Sequence, residues 1–221
     1  MAAVPKPTEP DTIPRHYSEE DFERFLGYCD NYLDRNQKYT NNKNAFPRWF
    51  IPCFELIAYT GLRPAEAMRL NWGDIVWPED SPEGIGKLLI VTTELGSTKT
   101  LVDGVVTMHP RAERVLRWMQ EHHRISNKED EPVLKNSSGE NRISKSFLGT
   151  KFTRIQKYSK MPAIGLYGLR HTYAAYLRRK GVALHLIQEE FRHKDYRTTQ
   201  KYGRLGVDER MRAVFDKISK K

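Results

Sequence analysis

The chain has 221 residues, with 37 lysines and arginines against 28 aspartates and glutamates and a formal net charge of +9. This length fits one domain with at most a small appendage, and it can bury a core without disulfide bonds. The two cysteines, Cys29 and Cys53, flank apolar or aromatic residues, which argues against a cysteine-based zinc site and fits a reducing compartment, the cytoplasm. Membrane and secreted classes are excluded, because no apolar run approaches about 18 residues and no hydrophobic signal region opens the sequence.

The positive charge is concentrated towards the end of the chain. Residues 140–221 hold 20 basic and seven acidic residues, a net charge of +13, whereas residues 1–139 hold 17 basic and 21 acidic residues, a net charge of −4. Between Glu140 and Glu189 lie ten lysines or arginines and no acidic residue. Such a stripe is typical of a nucleic-acid partner. The alternative, a solubilising surface, explains an excess of lysine but not the absence of acids.

Most of the chain has helical patterns. Four prolines predict an extended arm or linker over residues 1–16. A helix then opens after Tyr17, because Ser18 can cap it with Asp21 at the capping-box position, and residues 36–44 form a polar loop. Periodicity and boundary residues predict the remaining helices, which are Trp49–Tyr59, Pro64–Leu70, Pro110–His123, Ser146–Tyr158, Leu169–Lys180, Leu184–Phe191, Thr198–Tyr202 and an amphipathic helix over 206–219.

A small sheet interrupts the helices. The β-rich runs Lys87–Thr93 and Gly104–Met108 flank a turn region, Gly96–Lys99, and predict two antiparallel strands. Residues 126–142 are polar and predict a loop. The expected fold class is therefore mainly α with a small antiparallel β-sheet, an α+β arrangement.

Two arginines stand at predicted helix starts, where backbone N–H groups favour anions. Arg63 precedes Glu66, which can hold its guanidinium in place. Arg170 has no acidic neighbour in sequence, and an unpaired arginine at a helix start suits a phosphate ligand. Lys99 lies in the strand connection, where its side chain can reach outward. Each of these residues taken alone is also compatible with a solvated surface position.

The segment after Phe191 places His193 and Tyr202 nine residues apart. Cations near Tyr202 would lower the pKa of its phenol from about 10 and favour the phenolate. The chain has 11 tyrosines, so a structural role is the alternative for any one of them. His171 is expected to be a packed or capping residue that supports the site. The basic residues expected to contact DNA are Arg192, Lys194, Arg197, Lys201 and Arg204.

The order of these pieces resembles the tyrosine recombinase (phage integrase) family. The motif Thr60-Gly-Leu-Arg-Pro-Ala-Glu66, a hairpin lysine, Leu169-Arg-His-Thr172, a later histidine and a tyrosine nine residues on follow one another from about residue 17 to the C-terminus. The resemblance implies the family's catalytic-domain fold. It also implies the catalytic set Arg63, Lys99, Arg170, His193 and the nucleophile Tyr202, with Tyr167 at a further catalytic position.

Two residues depart from the family pattern. The position three before the second arginine is commonly histidine, and here it is Tyr167, which donates a hydrogen bond but does not exchange protons near neutral pH. The residue before His193 is commonly glycine, and here it is Arg192. This arginine could add a phosphate contact or disturb the turn that aims His193.

The resemblance implies site-specific recombination through a 3′-phosphotyrosine intermediate. The two arginines would neutralise the phosphate oxygens, and Tyr202 would attack phosphorus. Lys99 would protonate the leaving 5′ oxygen while His193 positions the phosphate or Tyr202. No metal or other cofactor is expected, because no acidic cluster suggests a metal site and two guanidiniums supply the electrostatic contribution of a metal. The partner is double-stranded DNA, as for integrases of mobile genetic elements.

Three alternatives remain open at this point: a recombinase-like module that binds DNA without cutting it, a type IB topoisomerase-like enzyme, and a helix-turn-helix regulator. Tyr167 favours the first alternative, but the presence of all five catalytic residues argues against that alternative. The third leaves the hairpin lysine and the histidine-to-tyrosine spacing unexplained.

The expected domain organisation is a linker over residues 1–16 and a catalytic domain over residues 17–221. The expected organisation lacks the core-binding domain that usually precedes the catalytic domain in this family, which would fit either a catalytic fragment or a minimal recombinase. The apolar stripe of the final helix, Val207, Met211, Val214, Phe215 and Ile218, packs either on the chain's own core or on a neighbouring protomer, as self-assembly into a dimer or tetramer on DNA would require.

Overall fold

The computed structural model describes residues 13–37, 50–93, 100–124, 126, 128–135 and 142–205. Eight helices occupy these ranges: α1 (Glu19–Gln37), α2 (Phe50–Thr60), α3 (Pro64–Arg69), α4 (Pro110–His123), α5 (Lys145–Ser159), α6 (Gly168–Arg179), α7 (Leu184–Glu190) and α8 (Tyr196–Gln200). The mainly helical fold is confirmed, and most predicted helix boundaries lie within one residue of the observed ones. The predicted amphipathic helix over 206–219 and most of the proline-rich arm lie outside the described residues.

The sheet has three antiparallel strands in the order β1 (Ile75–Val76), β2 (Lys87–Thr93) and β3 (Thr100–Thr107). The pairing of β2 with β3 was predicted, but β3 begins four residues earlier than the sequence indicated, and the register shifts between Ile90 and Val91. The strand β1 was missed because two residues carry too little periodicity to be recognised. The turn region Gly96–Lys99, with Lys99 itself, lies outside the described residues.

Aromatic residues of α1, α2 and α5 pack against one another within the main core. Phe25 of α1 lies 5.7 Å from Phe54 of α2 and 5.1 Å from Phe152 of α5, measured between ring centroids. The predicted cap of α1 is present, since the backbone N–H of Asp21 donates to Ser18 Oγ at 3.0 Å. This cap orients α1 so that its apolar face reaches the core.

A second, smaller apolar cluster holds the C-terminal part of the described chain. It consists of Tyr173, Ala174, Ile187, Phe191 and Tyr202, which come from α6, α7 and the segment after them. The last helix, α8, begins at Tyr196 rather than at Thr198, because the Asp195 side chain accepts a hydrogen bond from the N–H of Arg197 at 2.9 Å and caps the helix earlier. Within the described ranges, no helix is both long and apolar enough to cross a membrane.

Candidate active site

Arg63 and Glu66 are held together at the start of α3. Gly61 ends α2 with φ of +63°, and a Cβ there would lie 2.7 Å from the Phe191 ring, so glycine is required both for the turn and for the packing. The chain then enters α3 through Pro64. Arg63 Nη1 donates to Glu66 Oε1 at 2.6 Å, and the Arg63 N–H donates to Glu66 Oε2 at 2.7 Å. Glu66 therefore holds the arginine as the sequence indicated.

Arg170 is buried, and its guanidinium has hydrogen-bond partners. Its side chain is 1% exposed, and its guanidinium donates to the carbonyl oxygens of Gly61 and Phe191. Its Nη1 also lies 3.9 Å from Glu66 Oε2. The expectation of an arginine without partners was wrong, because the partners come from residues 21 and 109 positions away in the sequence.

Three arginines converge on Glu66. Besides Arg63 and Arg170, Arg192 places its Nη2 atom 2.7 Å from Glu66 Oε2. Burial alone would raise the pKa of Glu66, but the hydrogen bond from the Arg63 N–H and the charges of Arg192 and Arg63 outweigh it, so the pKa is lowered. One ionised carboxylate thus faces three cations, and the cluster keeps an excess positive charge that suits a phosphate ligand.

Arg192 adopts the backbone conformation that favours glycine. Its φ is +51°, and the N–H groups of Arg192 and His193 donate to the carbonyls of Glu189 and Gln188 at 2.9 and 3.0 Å. This pattern is a Schellman cap at the end of α7. The turn that aims His193 is therefore intact, at a cost of about 1 kcal/mol for a left-handed residue with a side chain.

The side chain of Arg192 crosses β3 at Gly104. A Cβ built on Gly104 would lie 2.4 Å from Arg192 Cδ, so the missing side chain on the strand makes room for the arginine. The contact between Gly104 and the Arg192 side chain could not be predicted from the sequence, because 88 residues separate the two positions.

Gly104→Ala is expected to destabilise the fold by about 1–3 kcal/mol through overpacking against Arg192. The loss should disappear in the Arg192→Gly background, because the clashing atoms are then absent. Urea denaturation of both single variants and the double variant measures this coupling. Gly149→Ala is the matched control, since nothing lies within 4 Å of a Cβ at that helical position. Equal destabilisation by Gly104→Ala in both backgrounds would contradict the contact.

Tyr202 is fully buried and its hydroxyl forms a hydrogen bond with His171 Nδ1. Burial raises the pKa of Tyr202, and the charge of Arg170 opposes this rise only in part. The expectation that neighbouring cations favour the phenolate was wrong for this state, because desolvation has the larger effect. The cation that acts on the phenol is Arg170, whereas Arg197 pairs with Asp195 at 2.8 Å.

His193 lies near the same group of arginines. Its Nδ1 lies 2.8 Å from Thr199 Oγ1, a buried hydroxyl on α8. Burial, with smaller contributions from the nearby charges of Arg170 and Arg63, lowers the pKa of His193 to about 4. The imidazole is therefore neutral at pH 7. The sequence did not point to Thr199, because two threonines are adjacent in this segment and only the fold shows which of them faces His193.

His193 makes the stability of the fold depend on pH. A histidine whose pKa is about 4 when folded and about 6.5 when unfolded binds protons more readily in the unfolded chain, so its contribution is full above pH 6.5 and is lost as the pH falls towards 4. Lowering the pH from 7 to 5 is expected to destabilise the wild type by about 1 kcal/mol more than His193→Gln, allowing for partial exposure. Urea denaturation at both pH values measures the difference. The opposite sign would contradict the assignment.

Tyr167 lies at the rim of the site and is 44% exposed. Its ring meets the ring of His171 edge to face at a centroid distance of 5.1 Å. A cavity of about 410 Å³ opens beside the cluster and is lined in part by Arg63, Arg192 and Lys194. Lys194, Arg197 and Arg204 are exposed and Lys201 is half-buried, so all four side chains are at least partly accessible to solvent. Within the described ranges, no group of three histidine, cysteine, aspartate or glutamate side chains is arranged to hold a metal ion.

Comparison with known families gives a match over most of the chain. The sequence model of the Phage integrase family matches residues 16–208. The tyrosine recombinase XerA of Pyrococcus horikoshii is 23% identical over 202 residues, which cover 90% of this chain and 60% of that protein. The tyrosine recombinase XerC of Alcanivorax borkumensis is 30% identical over 152 residues, which cover 68% of this chain and 46% of that protein. The chain thus spans about half the length of these relatives.

Solved structures share the fold. The XerH site-specific recombinase, in its post-cleavage complex with a palindromic difH substrate, superposes with a TM-score of 0.65 at 20% identity, covering 93% of this chain and 54% of that one. The catalytic domain of bacteriophage HP1 integrase superposes with a TM-score of 0.54 at 18% identity, covering 91% of this chain and 94% of that one. At these identities the likeness establishes the fold.

Proposed function

Because the chain belongs to the phage integrase family, we propose that it cuts and rejoins DNA as a site-specific recombinase, with Tyr202 as the nucleophile. The observation that carries the proposal is the convergence of Arg63, Arg170 and His193 on one cluster next to Tyr202. We also propose that the catalytic domain comprises residues 17–221, as the sequence predicts.

The cluster suits the charge that develops on a phosphodiester under attack. Arg63 is partly exposed, and its guanidinium can turn from Glu66 towards an incoming phosphate, while Arg170 is fixed by two carbonyls. A guanidinium held in place as Arg170 is can stabilise the extra negative charge of the transition state without reorganisation, and Arg63 adds a second cation once it has turned. Attack by Tyr202 forms the phosphotyrosine bond and breaks the bond to the 5′ oxygen, which takes a proton from Lys99.

Because Tyr202 is buried, this reaction requires the segment around it to move. A phosphorus atom must come within about 3.5 Å of the phenol oxygen before attack, but that hydroxyl is enclosed by the small apolar cluster. The segment that carries α8 and Tyr202 therefore has to shift when DNA binds. The apolar stripe over 206–219 follows this segment directly, so we propose that assembly of several subunits on DNA controls the shift.

A nicked duplex that loses its short 5′ fragment after cleavage tests the proposal, because it traps the covalent complex. We expect an adduct that survives denaturation and excess EDTA, and mass spectrometry should place the DNA on Tyr202. An adduct on another residue, or strict dependence on a divalent ion, would contradict the proposed chemistry.

A second candidate function is DNA binding without cleavage, which the buried Tyr202 and the tyrosine at position 167 favour. It predicts a salt-sensitive complex and no adduct under any assembly condition. Supercoil relaxation and two-site recombination assays on the same preparation separate both functions from a topoisomerase-like activity, which relaxes supercoils but joins no new partners.

A further inference from the structure

His171 contacts the proposed nucleophile directly, although the sequence indicated only a supporting role. Its Nδ1 atom shares a hydrogen bond with the Tyr202 hydroxyl, and the two ring centroids lie 6.0 Å apart. The imidazole sits on α6, one residue after Arg170, so the same helix start carries the buried guanidinium and this contact.

The other two candidates for taking the proton of Tyr202 are less well placed. Tyr167 carries a phenol, which does not accept protons near neutral pH. His193 has its Nδ1 atom engaged with Thr199 Oγ1 at 2.8 Å. The imidazole nitrogen that contacts the proposed nucleophile is therefore Nδ1 of His171.

We propose that His171 is the general base of the cleavage step and takes the proton of Tyr202 as its oxygen attacks phosphorus. This role rests on the proposed function. The proton moves from the phenol oxygen to His171 Nδ1, the phenol oxygen bonds to phosphorus, and the 5′ oxygen leaves with a proton from Lys99. In the rejoining step His171 returns its proton to the departing Tyr202, so the histidine is regenerated in each cycle.

The protonation state of His171 fits this role. Burial lowers the pKa of His171 to about 4, with smaller contributions from the charges of Arg170, His16 and Lys201, so the ring is neutral and can accept a proton at pH 7. Such a weak base does not deprotonate Tyr202 in the free chain. A phosphate anion beside the ring would stabilise the imidazolium and raise its pKa, which couples the proton transfer to the presence of DNA.

The test measures the rate of adduct formation on the nicked duplex, at saturating DNA, between pH 6 and pH 9. His171→Asn is the informative variant, because the Asn oxygen can accept the Tyr202 hydrogen bond at the position of Nδ1 but cannot take the proton. We expect a loss of about 100-fold to 10,000-fold at pH 7, a rate that rises steeply towards pH 9, and DNA affinity within about threefold of wild type. His171→Ala should behave likewise and regain activity with added imidazole. The exposed His122→Asn, on α4, is the matched control.

The remaining outcomes overturn the proposal. A His171→Asn rate close to wild type would mean that the contact only positions Tyr202. A faster rate in His171→Ala would mean that the contact restrains the nucleophile. A uniform loss with an unchanged pH profile would point to a structural effect, and melting temperatures of both variants identify misfolding. If the wild type forms no adduct, the proposed function fails together with this role, whereas a failure confined to the variants concerns His171 alone.

Discussion

Tyr202→Phe is expected to abolish the covalent protein–DNA complex while the chain stays folded and binds DNA. The substitution removes one oxygen from a ring that keeps its packing against Tyr173 and Phe191. The lost hydrogen bond to His171 costs about 1 kcal/mol of stability, whereas loss of the proposed nucleophile is expected to reduce adduct formation by about 1,000-fold or more. A denaturing gel with a labelled nicked duplex measures the adduct, and thermal unfolding and a mobility shift measure fold and binding.

Tyr196→Phe is the matched control for this experiment. Tyr196 begins α8 six residues before Tyr202 and is 45% exposed, so it is the accessible tyrosine of the same segment. We expect it to form the adduct at the wild-type rate. An adduct that persists in Tyr202→Phe, or disappears in Tyr196→Phe, would refute the assignment of the nucleophile.

The fold class and most helices were predictable because their signals are local. The cap at Ser18, the glycine after α2 and the proline that opens α3 each involve residues a few positions apart, and they determine where helices begin and end. The order of the arginine, histidine and tyrosine motifs is likewise a property of the linear sequence. These local features are sufficient to indicate the family and the candidate residues without the fold.

The electrostatic state of the site was not predictable, because it depends on contacts between distant segments. The sequence around Arg170 offers it no partner, whereas in the fold its guanidinium donates to the carbonyls of Gly61 and Phe191. Tyr202 looked like an activated phenol among cations, yet burial in the small apolar cluster raises its pKa. For both residues, burial and contacts with distant segments affect the side chain more than the charges of sequence neighbours do. No local sequence pattern predicts this burial or these contacts.

The two arginines are expected to respond differently to replacement by lysine. Arg170→Lys should lower the free energy of unfolding by about 2–4 kcal/mol, because an ammonium group cannot bridge the Gly61 and Phe191 carbonyls and leaves a buried acceptor unsatisfied. Arg63→Lys should cost less than about 1 kcal/mol, since the Arg63 side chain is 40% exposed and its ion pair with Glu66 is one that lysine can reproduce. Urea denaturation of both variants measures this contrast.

Adduct formation should nevertheless fall by about 100-fold or more in both variants, because neither lysine presents the planar pair of donors that a phosphate in the transition state accepts. For Arg63→Lys the loss cannot come from unfolding, so this variant isolates the chemical contribution of a guanidinium. Rates are compared at saturating DNA and at a temperature where the Arg170→Lys chain is folded by circular dichroism. Full activity in a folded Arg63→Lys chain would remove Arg63 from the phosphate site and leave Arg170 and Arg192 as the cations that face it, since both of them also contact Glu66.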